Sequence, residues 1–403
     1  MRRRTTAAVA ATTLLATGAV TLAAGRWASG AALGAASRSP RPAGFAGPRL
    51  TVHGVAAGRV TLTRSLDSQL PGTFAVASGT RHAVVGPVLD VASDPDTVVR
   101  RLERVNRGEL LAGATVALTP QLHRGDPRTA LGIPHADVEI PGDGGSLPAW
   151  FVPGERDTWV IALHGLGATR EHPLNLVPFL HRRAFPVLLP GYRGDPGAPR
   201  PRSGVSMLGA AEWPDADAAL RYAVRNGARR LVLYGWSTGG TMALYAAAHS
   251  PLRGRISGIV LDSPVLDPAA TVRALAAHRG VPGPLVPLAV SAARARIGLD
   301  GGPPAHVDAD PTAGPRATAA RSDHALDGPP DHPTGPRGRP LPVLLVHGPD
   351  DTIAPYAASH ALAARHAESV VLHTVPRAQH AAMWNADPRA YEEALGRFLT
   401  PLM

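Results

Sequence analysis

Apolar and polar positions follow two different rhythms along the chain. Between Leu50 and about Leu118, short runs of alternating or β-branched residues are separated by Gly and Pro, a pattern typical of strands joined by turns. From Val138 onward, continuous apolar runs predict strands buried on both faces of a parallel sheet. These runs cover residues 158–163, 186–189, 231–234, 256–261, 342–346 and 370–375.

Helix-length stretches separate the continuous apolar runs. They cover residues 211–225, 238–249, 355–366 and 389–399. Regular alternation of strand and helix predicts an α/β domain with a mostly parallel, doubly wound sheet flanked by helices. We assign residues 138–403 to this domain and residues 45–130 to a β-rich N-terminal extension, which would cover an edge of the sheet or narrow a cleft.

Two segments interrupt the predicted α/β domain. Residues 265–300 have helical character around a Val-Pro-Gly-Pro break at 281–284, and they lie where a lid would be expected. Residues 301–340 contain 9 Pro and 6 Gly, a composition typical of disorder. We interpret this second segment as a flexible insertion. Its scattered His and Asp residues fit a solvated linker better than a metal-binding tract.

The N-terminus has the layout of an export signal. Three arginines at positions 2–4 precede an uncharged stretch over residues 5–25, and small residues follow near positions 28–35. The uncharged stretch could also remain as a membrane anchor, although Ala and Thr favour insertion only weakly. An Ala-rich helix of a protein that is not exported is the third alternative. We expect residues 1–36 to be a signal or anchor, and the protein to be extracytoplasmic, either secreted or associated with the membrane.

Composition excludes several classes of function. The chain has no Cys, so disulfides and Cys-ligated metal or redox centres are impossible. The net charge is +10, and all 41 basic residues are Arg. These arginines are scattered along the chain without interleaved aromatic residues, so we predict no nucleic-acid partner.

A candidate nucleophile lies between a predicted strand and a predicted helix. Residues 235–239 read Gly-Trp-Ser-Thr-Gly, the GxSxG pattern of a nucleophile elbow, in which Ser237 occupies a sharp turn. Glycines flank such a turn because a Cβ would obstruct it. A serine hydroxyl needs a base, and the base needs an orienting carboxylate, so an acid and a histidine are expected downstream.

Both expected partners follow the elbow. Asp351 comes after one buried strand and His380 after the next, so each residue of the Ser, Asp, His series lies at the carboxyl end of a strand. Asp350 and Asp262 remain alternative acids. His373 is the alternative base, although it lies inside a predicted strand.

These motifs resemble the α/β-hydrolase superfamily of serine hydrolases from about Val138 to the C-terminus. Residues 164–167 (His-Gly-Leu-Gly) follow a strand and are similar to the oxyanion turn of that family. The resemblance implies that the backbone N–H groups of Leu166 and Thr238 stabilise the tetrahedral oxyanion. It implies neither a metal nor an organic cofactor.

Five further residues are candidate substrate contacts. They are His164, Gly165, Tyr192, Arg193 and Trp236. The simpler interpretation of His164, and of His347 before another glycine, is bracing of a turn through hydrogen bonds. An arginine such as Arg193 more often pairs with a neighbouring carboxylate than with a substrate.

The sequence therefore predicts a serine hydrolase that cleaves an acyl ester through a covalent acyl-enzyme. Its substrate would be a small-molecule or lipid-like acyl compound, whereas the sequence leaves the oligomeric state open. A peptidase similar to prolyl oligopeptidase is one alternative, although about 80 residues are too few for a full propeller. A non-catalytic surface binding module is the other.

Overall fold

The computed structural model describes residues 21–34, 41–45, 47–91, 94–300 and 340–403. Within these residues the strands form two separate structures, a closed barrel near the N-terminus and an eight-stranded sheet. The α/β fold and the β-rich extension predicted from the sequence are thereby confirmed.

The extension is a six-stranded barrel in the part of the chain that is described. Its strands are β1 (Leu50–Ala56), β2 (Arg59–Thr63), β3 (Phe74–Ser78), β4 (Arg81–Val88), β5 (Thr97–Arg107) and β6 (Thr115–Thr119). They pair in the order β1-β2-β5-β4-β3-β6, and antiparallel pairing of β1 with β6 closes the barrel. The pattern of apolar residues predicts strands but not this closure.

A buried arginine on β5 connects the barrel strands to the segment between β2 and β3. The Arg100 side chain is fully buried and donates hydrogen bonds to the carbonyl oxygens of Gly86, Ser68, Leu70 and Gly72. Burial lowers the pKa of its guanidinium to about 10. The group stays charged at neutral pH, and these carbonyls supply the acceptors that a buried cation requires.

The larger sheet carries the candidate site. Its strands are β7 (Ala136–Gly142), β8 (Gly145–Val152), β9 (Thr158–Leu163), β10 (Val187–Pro190), β11 (Arg230–Trp236), β12 (Ile256–Asp262), β13 (Val343–His347) and β14 (Val370–Thr374). The spatial order is β14-β13-β12-β11-β9-β10-β8-β7. Strands β9 to β14 run parallel, whereas β8 pairs antiparallel with both β7 and β10.

Helices cover both faces of this sheet. They are α2 (Pro127–Leu131), α3 (Val177–His181), α4 (Trp213–Arg225), α5 (Thr238–His249), α6 (Pro268–His278), α7 (Val286–Asp300), α8 (Tyr356–Arg365), α9 (Met383–Ala386) and α10 (Pro388–Leu399). Along β9, Trp159, Ile161 and Leu163 join the core beneath α4, α5 and α8. Val160 and Ala162 join the core beneath α3 and α10. A strand buried on both faces needs apolar residues at successive positions, which explains the continuous runs in the sequence.

A further helix, α1, is described over residues 21–33 and packs against the helices of the predicted lid region. Ala28, Ala32 and Leu33 are buried in one cluster with residues of α6 and α7. The described helices include none that is both long and apolar enough to cross a membrane. Residues 1–20 and 35–36 of the predicted signal, and residues 301–339 of the predicted insertion, lie outside the described residues.

Candidate active site

Ser237 occupies a strained turn between β11 and α5. Its φ of 51° and ψ of −117° lie in a region that residues with a Cβ rarely adopt. A Cβ on Gly235 would lie 2.3 Å from the carbonyl carbon of Gly239, and one on Gly239 would lie 2.1 Å from the carbonyl oxygen of Leu163. Both flanking positions of the motif therefore require glycine.

The structure brings Ser237, His380 and Asp351 together in one chain of hydrogen bonds. His380 Nε2 lies 2.7 Å from Ser237 Oγ, and His380 Nδ1 lies 2.7 Å from Asp351 Oδ2. Ser237 is 2% exposed, and the His380 and Asp351 side chains are fully buried. In this arrangement the imidazole can accept the serine proton while the carboxylate fixes the orientation of the ring.

Asp351 is held as a carboxylate by several donors. Its Oδ1 accepts hydrogen bonds from the N–H groups of Ile353 and Ala354 at 2.8 and 2.9 Å. His347 Nε2 lies 2.9 Å from Asp351 Oδ2. Burial by itself would raise the pKa of Asp351, but His380 and His347 outweigh this effect and hold that pKa far below its ordinary value.

The contact between His347 and the carboxylate is one that sequence reasoning missed. The other ring nitrogen, Nδ1, lies 2.7 Å from Ser359 Oγ on α8. The sequence suggests only that His347 braces a turn. The one available signal is the spacing of four residues between His347 and Asp351 across the strand-to-loop junction.

The turn that contains Leu166 lies against the nucleophile elbow. A Cβ on Gly165 would lie 2.9 Å from Ser237 Cβ, so this glycine permits the close approach. Thr238 is the first residue of α5, whose N-terminal N–H groups have no partner within the helix. Within the described residues, no protein acceptor binds the N–H of Leu166 or Thr238. Their role as oxyanion donors stays a prediction.

His164 and Tyr192 support the turn that contains Leu166. Their rings stack with centroids 4.3 Å apart, and His164 Nε2 lies 2.7 Å from Asp195 Oδ2. The Tyr192 hydroxyl donates a hydrogen bond to the His164 carbonyl oxygen at 3.2 Å. Burial raises the pKa of Tyr192 well above its ordinary value, so the phenol remains a donor. These contacts match the turn-bracing interpretation of His164.

Arg193 and Trp236, the other two candidate substrate contacts, are engaged within the protein. The Arg193 guanidinium binds Asp215 through two hydrogen bonds of 2.8 and 2.6 Å, and this bonding raises the pKa of Arg193. The Trp236 ring packs between Tyr234 and His172. Burial lowers the pKa of His172 to about 3, so a neutral imidazole lies beside the site.

Asp350 and Asp262, the alternative acids, and His373, the alternative base, make contacts with other parts of the protein. Asp350 accepts a hydrogen bond from the N–H of Arg377. The Asp262 carboxyl group accepts hydrogen bonds from the hydroxyls of Ser263 and Tyr391 at 2.9 and 3.0 Å. His373 lies within β14, paired with Val346. Of the three acidic candidates, Asp351 is the one that hydrogen-bonds to His380.

Comparison with known proteins identifies a family that matches most of the α/β domain. Residues 160–394 match the model of a family described as the alpha/beta hydrolase family. The chain belongs to the alpha/beta hydrolase family. Residues 51–119 of this alpha/beta hydrolase, which include nearly all of the barrel, match a domain of unknown function, DUF8805. Among curated protein sequences, none matches the chain significantly.

Solved structures share the hydrolase fold. The Pyrococcus furiosus esterase Pf2001 is 20% identical and aligns over 69% of this chain and 94% of its own, with a TM-score of 0.51. A Thermogutta terrifontis esterase with bound malate is 19% identical over 66% of this chain and 99% of its own, with a TM-score of 0.43. Est1E from Butyrivibrio proteoclasticus, bound to ferulic acid, has the same identity and TM-score over 66% of this chain and 98% of its own.

A second feature missed by sequence reasoning is a short segment that crosses the site of this alpha/beta hydrolase. We call residues 41–45 the strap. The N–H of Ala43 donates a hydrogen bond of 3.0 Å to the Leu166 carbonyl oxygen, and a Cβ on Gly44 would lie 3.0 Å from His380 Cβ. The strap lies more than 120 residues before these partners, so no local pattern indicates the contact.

Proposed function

We propose that this alpha/beta hydrolase is a serine esterase. The observation that carries the proposal is the continuous chain from Ser237 through His380 to Asp351, with 2.7 Å at each step. An activated serine next to two candidate oxyanion donors is the arrangement that acyl transfer requires.

The proposed reaction has two halves. Ser237 Oγ attacks the ester carbonyl carbon while its proton moves to His380 Nε2, and the N–H groups of Leu166 and Thr238 bind the resulting oxyanion. Collapse of this intermediate expels the alcohol, which takes the proton from His380. Water then attacks the acyl-enzyme with His380 again as base, which releases the carboxylic acid and restores Ser237. The Asp351 carboxylate stabilises the imidazolium in both halves.

Two observations favour a small ester over a peptide. The N-terminal extension is a closed barrel of about 70 residues, not a set of propeller blades, so the resemblance to prolyl oligopeptidase loses its basis. Ser237 is 2% exposed and His380 is fully buried, which disfavours access by an extended polypeptide. The connected triad also argues against a non-catalytic binding module.

Hydrolysis of p-nitrophenyl acetate tests the proposal. Ser237→Ala and His380→Ala should each reduce kcat by about 10⁴-fold or more, because the triad acts as a unit. Ser146→Ala is the matched control, since Ser146 is exposed on β8. Retention of parental activity in both triad variants would refute the proposed mechanism.

We also propose an extracytoplasmic location with an uncleaved N-terminal segment that associates with the membrane. The arginines followed by an uncharged stretch support export. The buried positions of Ala28, Ala32 and Leu33 support retention, because cleavage near residue 36 would remove them from their cluster. The intact mass of protein from its native host distinguishes retention from cleavage.

A further inference from the structure

The strap contacts both sides of the candidate nucleophile. On one side its Ala43 N–H binds the Leu166 carbonyl oxygen, and a Cβ on Gly167 would lie 2.0 Å from the Arg41 carbonyl oxygen. On the other side Gly44 packs against His380, with a φ of +85° that glycine tolerates. The strap therefore extends from the oxyanion turn to the His380 loop.

The C-terminal end of the strap is anchored in the barrel. Phe45 is 3% exposed and belongs to the barrel core, where its ring centroid lies 6.0 Å from that of Phe74. Ala382, two residues after His380, is part of the same apolar cluster. The barrel thus fixes the strap against the loop that carries the candidate base.

Helix α1, which precedes the strap in the chain, is anchored to the rest of the hydrolase. The Arg279 guanidinium donates a hydrogen bond of 3.1 Å to the carbonyl oxygen of Ala31, and the N–H of Ser206 donates one of 3.0 Å to that of Leu33. Ala28 and Ala32 are fully buried beside α6 and α7. Ala43 of the strap and Leu166 of the oxyanion turn belong to the same cluster.

We propose that α1 and the strap form a roof that determines acyl-chain specificity, so that the preferred substrates are esters of short acyl groups such as acetyl. This proposal rests on the proposed esterase function. Within this roof, the strap contacts both the oxyanion turn and the His380 loop, and the proposed mechanism places the ester carbonyl between them. A long acyl chain reaches further from the ester carbonyl than an acetyl group does, so the long chain is the one that would have to displace packed apolar groups or the strap backbone.

The ratio of kcat/KM for p-nitrophenyl decanoate to that for p-nitrophenyl acetate tests the roof in the full chain. We expect the parent to prefer acetate by at least about tenfold, the scale of discrimination that apolar packing achieves. Ala28→Glu places a carboxylate on the buried side of α1 and should raise the decanoate-to-acetate ratio at least about tenfold by releasing the helix. Ala23→Glu adds the same charge at an exposed position of α1 and should leave the ratio within about twofold.

A milder pair of variants covers the case in which Ala28→Glu does not fold. Arg279→Met removes the hydrogen bond to α1 but keeps an apolar stem, so the ratio should rise about threefold or more. Arg273→Met, at an exposed position of helix α6, which Arg279 directly follows, is its control. A parent that hydrolyses both esters equally well, or a ratio that is unchanged in whichever of Ala28→Glu and Arg279→Met folds, overturns the proposal.

Labelling of Ser237 distinguishes an error in the roof proposal from an error in the proposed esterase function. A small fluorophosphonate that does not modify Ser237 in the folded parent contradicts the esterase function itself. Modification of Ser237 together with an unchanged ratio contradicts only the roof.

Discussion

Single residues around the site differ in how burial affects their charge. Asp351 and Asp262 are both buried acids within the same region, but Asp351 contacts two histidines whereas Asp262 contacts only hydroxyls through its carboxyl group. Two imidazoles favour the charged form of Asp351. Burial dominates at Asp262 and raises the pKa of its carboxyl group to about 7, despite the hydrogen bonds from Ser263 and Tyr391.

The raised pKa of Asp262 predicts a specific pH dependence of stability. Between about pH 4 and pH 7 the folded protein holds a proton on Asp262 that the unfolded chain has lost, so the free energy of unfolding decreases as the pH rises. One proton accounts for at most about 1.4 kcal/mol per pH unit. Asp262→Asn should remove this contribution, so its stability curve from pH 4.5 to 7.5, measured by urea unfolding, should have a slope that is more positive than the parent's by up to about 1.4 kcal/mol per pH unit.

The control for this prediction is Asp350→Asn, which changes an exposed aspartate near the same site. Its stability curve should run parallel to that of the parent. A curve for Asp262→Asn with the parental slope would mean that Asp262 is ionised throughout the range.

At the scale of elements, the junction of β11 and α5 depends on close backbone approach. Gly239→Ala would place a Cβ 2.1 Å from the Leu163 carbonyl oxygen, so either β9 or α5 must move. We expect a loss of about 3 kcal/mol in stability, visible as a lower Tm, together with loss of esterase activity. Gly254→Ala is the control because open space surrounds that position. Equal Tm values for the two variants would contradict the tight packing of the elbow.

Sequence patterns predict the parallel strands well because each strand carries its own signal. Strand β9 is predicted over residues 158–163 and observed over the same residues, since both of its faces are buried. Closure of the barrel leaves no such signal, because β1 and β6 are distant in the sequence and closure depends on their pairing. The β7–β8 hairpin is hidden for a related reason: β7 has mostly exposed and half-buried positions, and Ile140 is its buried residue.

The residues of the candidate site also divide into those that carry a local sequence signal and those whose contacts depend on the tertiary fold. Ser237, Asp351 and His380 can be predicted because each lies at the end of a strand within a recognisable local motif. The strap cannot be predicted, since its contacts with Leu166 and His380 are created by the tertiary fold alone.

At the scale of the whole molecule, the barrel is joined to the hydrolase beside the site. The side-chain amide of Asn385 on α9 donates hydrogen bonds to the carbonyl oxygens of Thr73 and Pro120 at 2.8 and 2.9 Å. The main-chain carbonyl oxygen of Asn385 accepts a hydrogen bond from the N–H of Thr73. Asn175 donates a hydrogen bond to the same Pro120 carbonyl oxygen at 2.9 Å. Two asparagines of the hydrolase thus donate hydrogen bonds to the carbonyl oxygens of residues that directly adjoin the barrel strands β3 and β6.

Asn385→Ala should therefore destabilise the joined structure. The substitution removes the side-chain donor from the half-buried Thr73 carbonyl oxygen, while the Pro120 carbonyl oxygen keeps its hydrogen bond from Asn175, so we expect a loss of about 1 kcal/mol and a lower urea midpoint of unfolding. Asn226→Ala is the control, because Asn226 is an exposed residue that follows α4. An unchanged midpoint for Asn385→Ala would show that the barrel and the hydrolase are not coupled through this residue.

The proposed mechanism requires Ser237 to be an activated nucleophile, and covalent labelling measures this property. The folded parent and the Ser237→Ala variant are treated with a small fluorophosphonate, and the modified peptide is located by mass spectrometry. We expect one adduct, on Ser237, that is absent from Ser237→Ala and forms much more slowly in His380→Ala. Folded protein that remains unlabelled, or an adduct on another residue, would contradict it.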